Sequence, residues 1–293
     1  MPEPTTSLTL HPPADFDLTR AVCSYGYFTL APNHWDATKH VLHRPLRTTL
    51  GQVVKTTLEH RENGTLRLVC DRMVPRSDHA TLKAQVRRML RLDESFTAWH
   101  TLHSAAQQAG FGRLFRSPTL FEDVIKTFTS CNVTWANTQQ MNRLMVENVG
   151  HGGFPTPTQL ADFGEARLKT TCRVGYRASR IVELARDIEK GDVGLDWFEK
   201  PGHASEVLFE AFHGLYGVGP YAAGNLCHLV GVYDRLAIDT EMVRHFCKKK
   251  NIKRPQGNDA ARLKRLHQKI ERYYAAFKPY QFIAYWFELW ETK

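Results

Sequence analysis

Hydrophobic and polar positions change rhythm once along this chain. "GQVVKTTLEH" (51–60) and "LRLVCDRM" (66–73) alternate apolar and polar residues, the period of half-buried strands. Between them "RENGT" carries Asn63-Gly64, a dipeptide suited to a tight hairpin because both residues tolerate positive φ. "YGYFTLAP" (25–32) and "KHVLHRPLRTT" (39–49) read as partner strands of the same antiparallel sheet. From about Thr81 the spacing becomes helical and stays so. "TLKAQVRRMLRL" predicts an amphipathic helix, and Ser117-Pro118 predicts an N-cap and first-turn proline opening "TLFEDVIKTFTSC". Helices follow over "WANTQQMNRLMVENVG", "YRASRIVELARDIEKG" and "HASEVLFEAFHG", then one after a glycine turn, one after Asp239 and two at the C-terminus. The pattern predicts an α+β protein: a polar tail over 1–15, an N-terminal antiparallel sheet domain over 16–104, and a mostly α-helical body over 105–293.

Composition narrows the class. Hydrophobic residues at 42% and charged residues at 24% suit an ordinary soluble globular protein. No apolar run reaches the ~18–20 residues a membrane span needs, and the start has neither a basic nor an apolar leader region, so no secretion is expected. Six cysteines lie far apart without a C-x-x-C pair, which argues for a reducing compartment and against disulfides, zinc or an iron–sulfur cluster. The histidine pairs in "HVLH" and "HTLH" lack a third ligand, so no metal site is expected. Charge is more telling. From Arg244 to Arg272 there are eleven Lys/Arg and two Asp/Glu, a balance equal to the whole excess of +9. Such a block suits a polyanion, or is only a solvated helix face.

One junction between helices carries candidate chemistry. In "LYGVGPYAAGNL" (215–226), Gly217 and Gly219 flank Val218, permit positive φ and leave backbone N–H groups bare. Pro220 suits the first position of the next helix, whose N-terminal amides suit a phosphate oxygen. A plain interhelical turn has the same sequence. Ala222, Ala223 and Gly224 let the second helix pack closely on the first. Eighteen positions after Tyr221, "AIDTEMVRHF" sets Asp239 at a helix start, as a simple N-cap or as a carboxylate with further work.

Turn, spacing and aspartate together resemble the helix-hairpin-helix DNA glycosylases. Members carry L-P-G-[VI]-G, a variable slot, and an aspartate about this far downstream. "LYGVG" and "AIDTEMVRHF" stand in those places, within a helix-hairpin-helix motif at about 204–232. "FTSCNVTWANTQQM" and "RVGYRASRIVELARDIEKGDVGLDWF" resemble the 8-oxoguanine branch, while "FPTPTQLA" and "QVRRMLRLD" are equally at home in the alkylbase (3-methyladenine) branch. The likeness covers roughly 80–250 well and the first 80 residues loosely.

The resemblance implies a base-excision-repair enzyme, acting as a monomer in the nucleoid or nucleus. It would flip a damaged purine, oxidised or alkylated, from double-stranded DNA and hydrolyse its N-glycosidic bond. Asp239 would stabilise the oxocarbenium-like sugar and position or deprotonate water. Bifunctional members hold a lysine in the variable slot, whose amine forms a Schiff base. Tyr221 cannot, so the implied enzyme is monofunctional and leaves an abasic site in an uncut strand.

Other roles follow the same resemblance. Asn132 and Tyr176 would fill the hole left by the flipped base, and Arg177 would meet the orphaned base or its backbone. Tyr221 and Tyr285 would border the base pocket. Tyr285 belongs to nine aromatics between Tyr273 and Trp290, which wall that pocket or form a packing face docked on the sheet domain. Gly217, Val218 and Gly219 would hold DNA together with Lys248, Lys249 and Lys250. Where many relatives have histidine two residues after the aspartate, this chain has Glu241, which would repel phosphate. The implied cofactors reduce to a monovalent cation on hairpin backbone carbonyls. A mismatch-thymine or other-base glycosylase, and a non-catalytic protein that binds damaged DNA, share these features.

Overall fold

The computed structural model describes residues 5–254 and 259–292. The chain forms two compact units, one of residues 1–95 and 113–199, the other of residues 96–112 and 200–293. In chain order the first segment holds β1 (Ser7–Leu10), α1 (Leu18–Val22), a 3-10 turn (Gly26–Thr29), β2 (His34–Asp36), β3 (Val41–Arg47), β4 (Val53–His60), β5 (Leu66–Cys70) and α2 (Arg76–Leu90). The strands form one antiparallel sheet in the order β1-β5-β4-β3-β2. Leu42, Leu58, Leu68 and Leu8 stand in one cross-strand row and are buried, so alternation in the sequence becomes one apolar face. Gly64 has φ +77° in the predicted hairpin turn, and the Asn63 side chain accepts from the Thr65 amide at 3.1 Å.

Two expectations fail at the sheet edges. "YGYFTLAP" is no strand. Tyr27 and Leu30 are both buried three residues apart in a 3-10 turn, and the Tyr27 and Thr127 hydroxyls hydrogen-bond at 2.8 Å. The alternation there mimicked a period that tertiary packing does not use. The edge strands are instead β2, three residues just after that stretch, and β1, inside the stretch expected to be a polar tail, where "SLTL" offers too few apolar residues to signal a strand. Residues 1–4 of that stretch lie outside the described residues.

The remaining helices of the first unit are α5 (Leu120–Ser130), α6 (Trp135–Asn148), α7 (Pro157–Phe163), α8 (Glu165–Thr171) and α9 (Arg177–Lys190), numbered after α3 (Thr97–Leu102) and α4 (Ser104–Ala109) of the second unit. Helix α5 opens two residues later than expected. Thr119 is its N-cap, while the Ser117 amide donates to Asp123 at 2.8 Å. Almost every side chain of α5 is buried, charged ones included. Arg44 of β3 reaches Glu122 at 2.6 Å, Lys126 lies 2.7 Å from the same carboxylate, and Arg88 of α2 meets Asp123 at 2.8 Å. Buried charges persist only when paired in this way. These ties explain why the division expected near residue 104 is not where the chain divides: α5–α9 belong with the sheet.

The second unit joins α3 and α4 to α10 (Ser205–His213), α11 (Pro220–Leu229), α12 (Thr240–Lys249), α13 (Ala260–Tyr274), a 3-10 turn (Ala275–Phe277) and α14 (Gln281–Trp290). Its core is aromatic. Phe111 packs on Phe287 and Trp290 with ring centres 5.2 Å apart, and Trp99 lies 5.8 Å from Tyr280. The aromatic face of α14 therefore packs inside its own unit, on residues the sequence had assigned around the sheet-domain boundary.

Candidate active site

The hairpin of α10 and α11 is built by one left-handed residue. Gly217 has φ +79°, a conformation that side-chain-bearing residues avoid, and the Val218 amide donates back to the Leu215 carbonyl at 3.0 Å. Val218 is buried and anchors the turn. Gly219 does not need positive φ, contrary to expectation. It is an extended N-cap (φ −83°, ψ 173°) with open space where a Cβ would stand, and its carbonyl accepts from Ala223. Pro220 takes the first helical position, where a missing N–H costs nothing.

Gly224 explains the return of the chain. A Cβ there would stand 3.2 Å from the Cβ of Ala237, so the small residues of α11 make room for the segment after it. Close approach to α10 was the expected reason. Helix α11 ends where the Val232 amide donates to the Cys227 carbonyl and Gly231 adopts φ +97°. His228 holds the returning chain through the Arg235 carbonyl at 2.9 Å and stacks on Phe282. The chain thus comes back along α11 and delivers Asp239 to Tyr221.

Asp239 is the N-cap of α12. Its Oδ1 accepts from the Met242 amide at 2.8 Å, and Tyr221 donates to Oδ2 at a long 3.4 Å. Burial raises the carboxyl above its ordinary value, and the Glu241 charge adds to this. The amides of Met242 and Glu241 and the Tyr221 hydroxyl work against both. Tyr221 is 39% exposed, so this carboxylate and phenol stand at the surface of their unit. Glu241 turns aside onto Arg244, 2.5 Å away. An ionisable oxygen held by a helix start, with only a weak side-chain partner, has capacity left to accept a proton or face a cation.

The other predicted residues divide by unit. Tyr285 shares the second unit but is only 2% exposed, edge-on to His245, Tyr274 and Phe282. It is enclosed rather than presented. Lys248 and Lys250 are exposed, Lys250 lying over the Tyr273 ring, while Lys249 is held by Glu288 at 2.8 Å. Within the basic block, residues 255–258 lie outside the described residues.

In the first unit the structure brings Asn132, Tyr176 and Arg177 together, with one correction. Arg177 is 6% exposed and cannot meet a base or phosphate as it stands. Its Nε donates to the Phe128 carbonyl at 2.9 Å and its Nη2 to that of Cys131, so it braces the end of α5. Asn132 follows directly, exposed and left-handed at φ +52°, a region asparagine tolerates better than most residues. Tyr176 is 50% exposed, with the guanidinium groups of Arg177 and Arg180 at 4.6 and 5.0 Å from its ring centre. Three exposed aromatics inside the sequence motifs carry no sequence-derived role: Tyr216 beside Gly217, Trp135, whose Nε1 donates to Thr29, and Trp197, edge-on to Phe198.

Among the described residues no group of three or more His, Cys, Asp and Glu would hold a metal ion, and no helix is long and apolar enough to cross a membrane. The six cysteines are free thiols.

The chain has the fold of DNA glycosylases of known structure. The 3-methyladenine DNA glycosylase of Archaeoglobus fulgidus matches with TM-score 0.73 at 14% identity, over 97% of this chain and 98% of that one. The apo 8-oxoguanine glycosylase/lyase of Clostridium acetobutylicum matches with TM-score 0.67 at 15% identity, over 96% of each chain. The 3-methyladenine DNA glycosylase of Schizosaccharomyces pombe, solved with abasic DNA, matches with TM-score 0.51 at 18% identity, over 72% of this chain and 96% of that one. No protein-family model and no curated protein matches the sequence.

Proposed function

We propose that this protein is a monofunctional DNA glycosylase that removes a damaged purine from double-stranded DNA. The observation that carries the reading is Asp239, a capping carboxylate of raised pKa brought back beside Tyr221 at the start of the hairpin's second helix. As the glycosidic bond lengthens, positive charge grows on the sugar. A carboxylate that accepts few bonds in the ground state gains most from that charge. The same oxygen orients or deprotonates the water that completes hydrolysis.

Tyr221 supports hydrolysis without strand cleavage, because a phenol forms no imine. Burial works to lower the Lys249 ammonium, but Glu288 and Tyr273 hold it above its ordinary value, so it is a poor amine nucleophile. Asn132 and Tyr176, exposed at the end of α5 and the start of α9, suit the role of filling the space left by a flipped base. Arg177 supports them from beneath. Gly217, Val218 and Gly219 would offer amides to a phosphate, with Lys248 and Lys250 adding charge. A monovalent cation on the turn would use its backbone carbonyls, of which those of Leu215 and Gly219 also accept an amide.

The test is abasic-site formation on duplex oligonucleotides each carrying one lesion, read before and after alkali. Release of an oxidised or alkylated purine, with breakage only after alkali, is the expected result. Release of mismatched thymine alone would move the substrate class, and binding without release across the panel would leave only a DNA-binding protein.

A further inference from the structure

Glu288 on α14 receives four donors from two other helices. From α12, Lys249 Nζ lies 2.8 Å from Oε1 and His245 Nε2 lies 3.2 Å from Oε2. From α13, Tyr273 donates to Oε1 at 3.1 Å and Tyr274 to Oε2 at 2.7 Å. Each oxygen therefore takes two partners, on a side chain only 10% exposed. Hydrogen bonds to an ionised acceptor are about twice as strong as neutral ones.

The two α12 donors matter most. His245 and Lys249 are four residues apart, hence on one face of the helix. Attaching both to a single carboxylate sets the tilt and the roll of α12. Asp239 caps that helix and moves with it. The His245 ring also meets Tyr285 edge-on at 5.8 Å, one turn before Glu288 on α14, so the anchor has an apolar backing.

We propose that Glu288 is a positioning residue for Asp239: by gripping α12 at His245 and Lys249, it holds the capping carboxylate in place against Tyr221. The role rests on the glycosylase reading for its consequence, and on geometry alone for its mechanics. Burial works to raise the Glu288 carboxyl, yet His245, Lys249 and Tyr274 hold it at about 2, so the anchor stays charged wherever the enzyme would work. A second, neutral hydroxyl joins it from α13, since burial and Glu288 push Tyr274 upward.

A charge-based readout separates positioning from mere stability. Asp239 is raised by burial and lowered by the amides of its own helix start. The ionisable groups facing it are Tyr221 on α11 and Glu241 on α12. A loosened α12 carries Asp239 and its own amides away from the Tyr221 hydroxyl, and losing that bond moves Asp239 up. Losing the negative charge of Glu288 would by itself move Asp239 down. Direction therefore distinguishes the two.

The experiment is a carbon-13 carboxyl NMR titration of Asp239 in the full chain, for wild type and Glu288→Gln, which keeps size and removes charge. The titration is expected to move to higher pH in the variant. Single-turnover base release should fall about 10-fold, with duplex affinity within about 2-fold. His245→Phe keeps a ring against Tyr285 and removes one bond to Glu288. It should give a smaller shift in the same direction, and serves if Glu288→Gln does not fold. An unchanged or lowered Asp239 titration in a folded variant overturns the proposal, whatever happens to the rate. Absence of base release by wild type would overturn the glycosylase reading alone, because the titration still decides the positioning role.

Discussion

Glu122 and Asp239 are both carboxylates moved from their ordinary pKa, and in opposite directions. Glu122 sits inside the first unit between Arg44 and Lys126. Burial works to raise it, but those two cations bring it from 4.5 to about 2. Asp239 sits at a helix start in the second unit with two weaker kinds of partner, and burial wins. A carboxylate whose lone pairs are filled by cations is part of the scaffold. One left under-partnered at the surface of its unit has something to offer a substrate. The sign of the shift, with the identity of the partners, separates structural from chemical charge.

Removing Glu122 should be the larger blow to the fold. Glu122→Gln leaves Arg44 and Lys126 as buried cations without a counterion, a loss of about 3–5 kcal/mol. Urea unfolding at neutral pH measures it. The acid dependence tests the same point with its sign. The Glu122 contribution is fully present above 4.5 and is lost as pH falls toward about 2. Asp239 behaves in reverse: its contribution is present below 3.8 and lost as pH rises through its raised value. Glu122→Gln should flatten the acid limb of unfolding stability, and Asp239→Asn should remove the opposing slope.

Asp239→Asn should cost about 10²-fold or more in base release. Asparagine caps helices as well as aspartate and does not ionise, so the melting temperature at neutral pH should rise slightly while duplex binding hardly changes. Near-normal release by this variant would break the contrast between the two carboxylates. Tyr221→Lys is a finer probe of the same spot. The wild type should give no borohydride-trapped complex with damaged duplex, whereas the variant, with an amine beside Asp239, should give a detectable one. Strong trapping by wild type would point to another lysine.

The smallest effect belongs to the basic block. Reversing Lys249 would set two carboxylates side by side at Glu288, so Lys248→Glu is the clean test. If Lys248 meets one phosphate, the slope of log affinity against log salt should fall by about 0.9. An unchanged slope would make it a solvated residue.

Much of this was legible in the chain. Alternation predicted β3, β4, β5 and their hairpin, because a half-buried strand repeats every two residues. The hairpin turn and the capping aspartate were legible because Gly217, Pro220 and Asp239 each solve a local backbone problem. The 3-10 turn at Gly26–Thr29 reads as a strand in the sequence because Tyr25 and Tyr27 copy strand alternation while serving a packing contact. Strand β1 gives no signal in the sequence because four residues are too few to establish a period.

Arg177 and Glu288 show where local reasoning ends. A sequence carries a residue's type and neighbours, and it determined here which positions could turn, cap, alternate or ionise. It does not carry the direction a long side chain takes. Arg177 turned inward because the carbonyls at the end of α5 lay open to it, and Glu288 became an anchor because α12 and α13 converge on one turn of α14. Partners supplied by chain segments up to 49 residues away depend on packing, and only tertiary structure decides that.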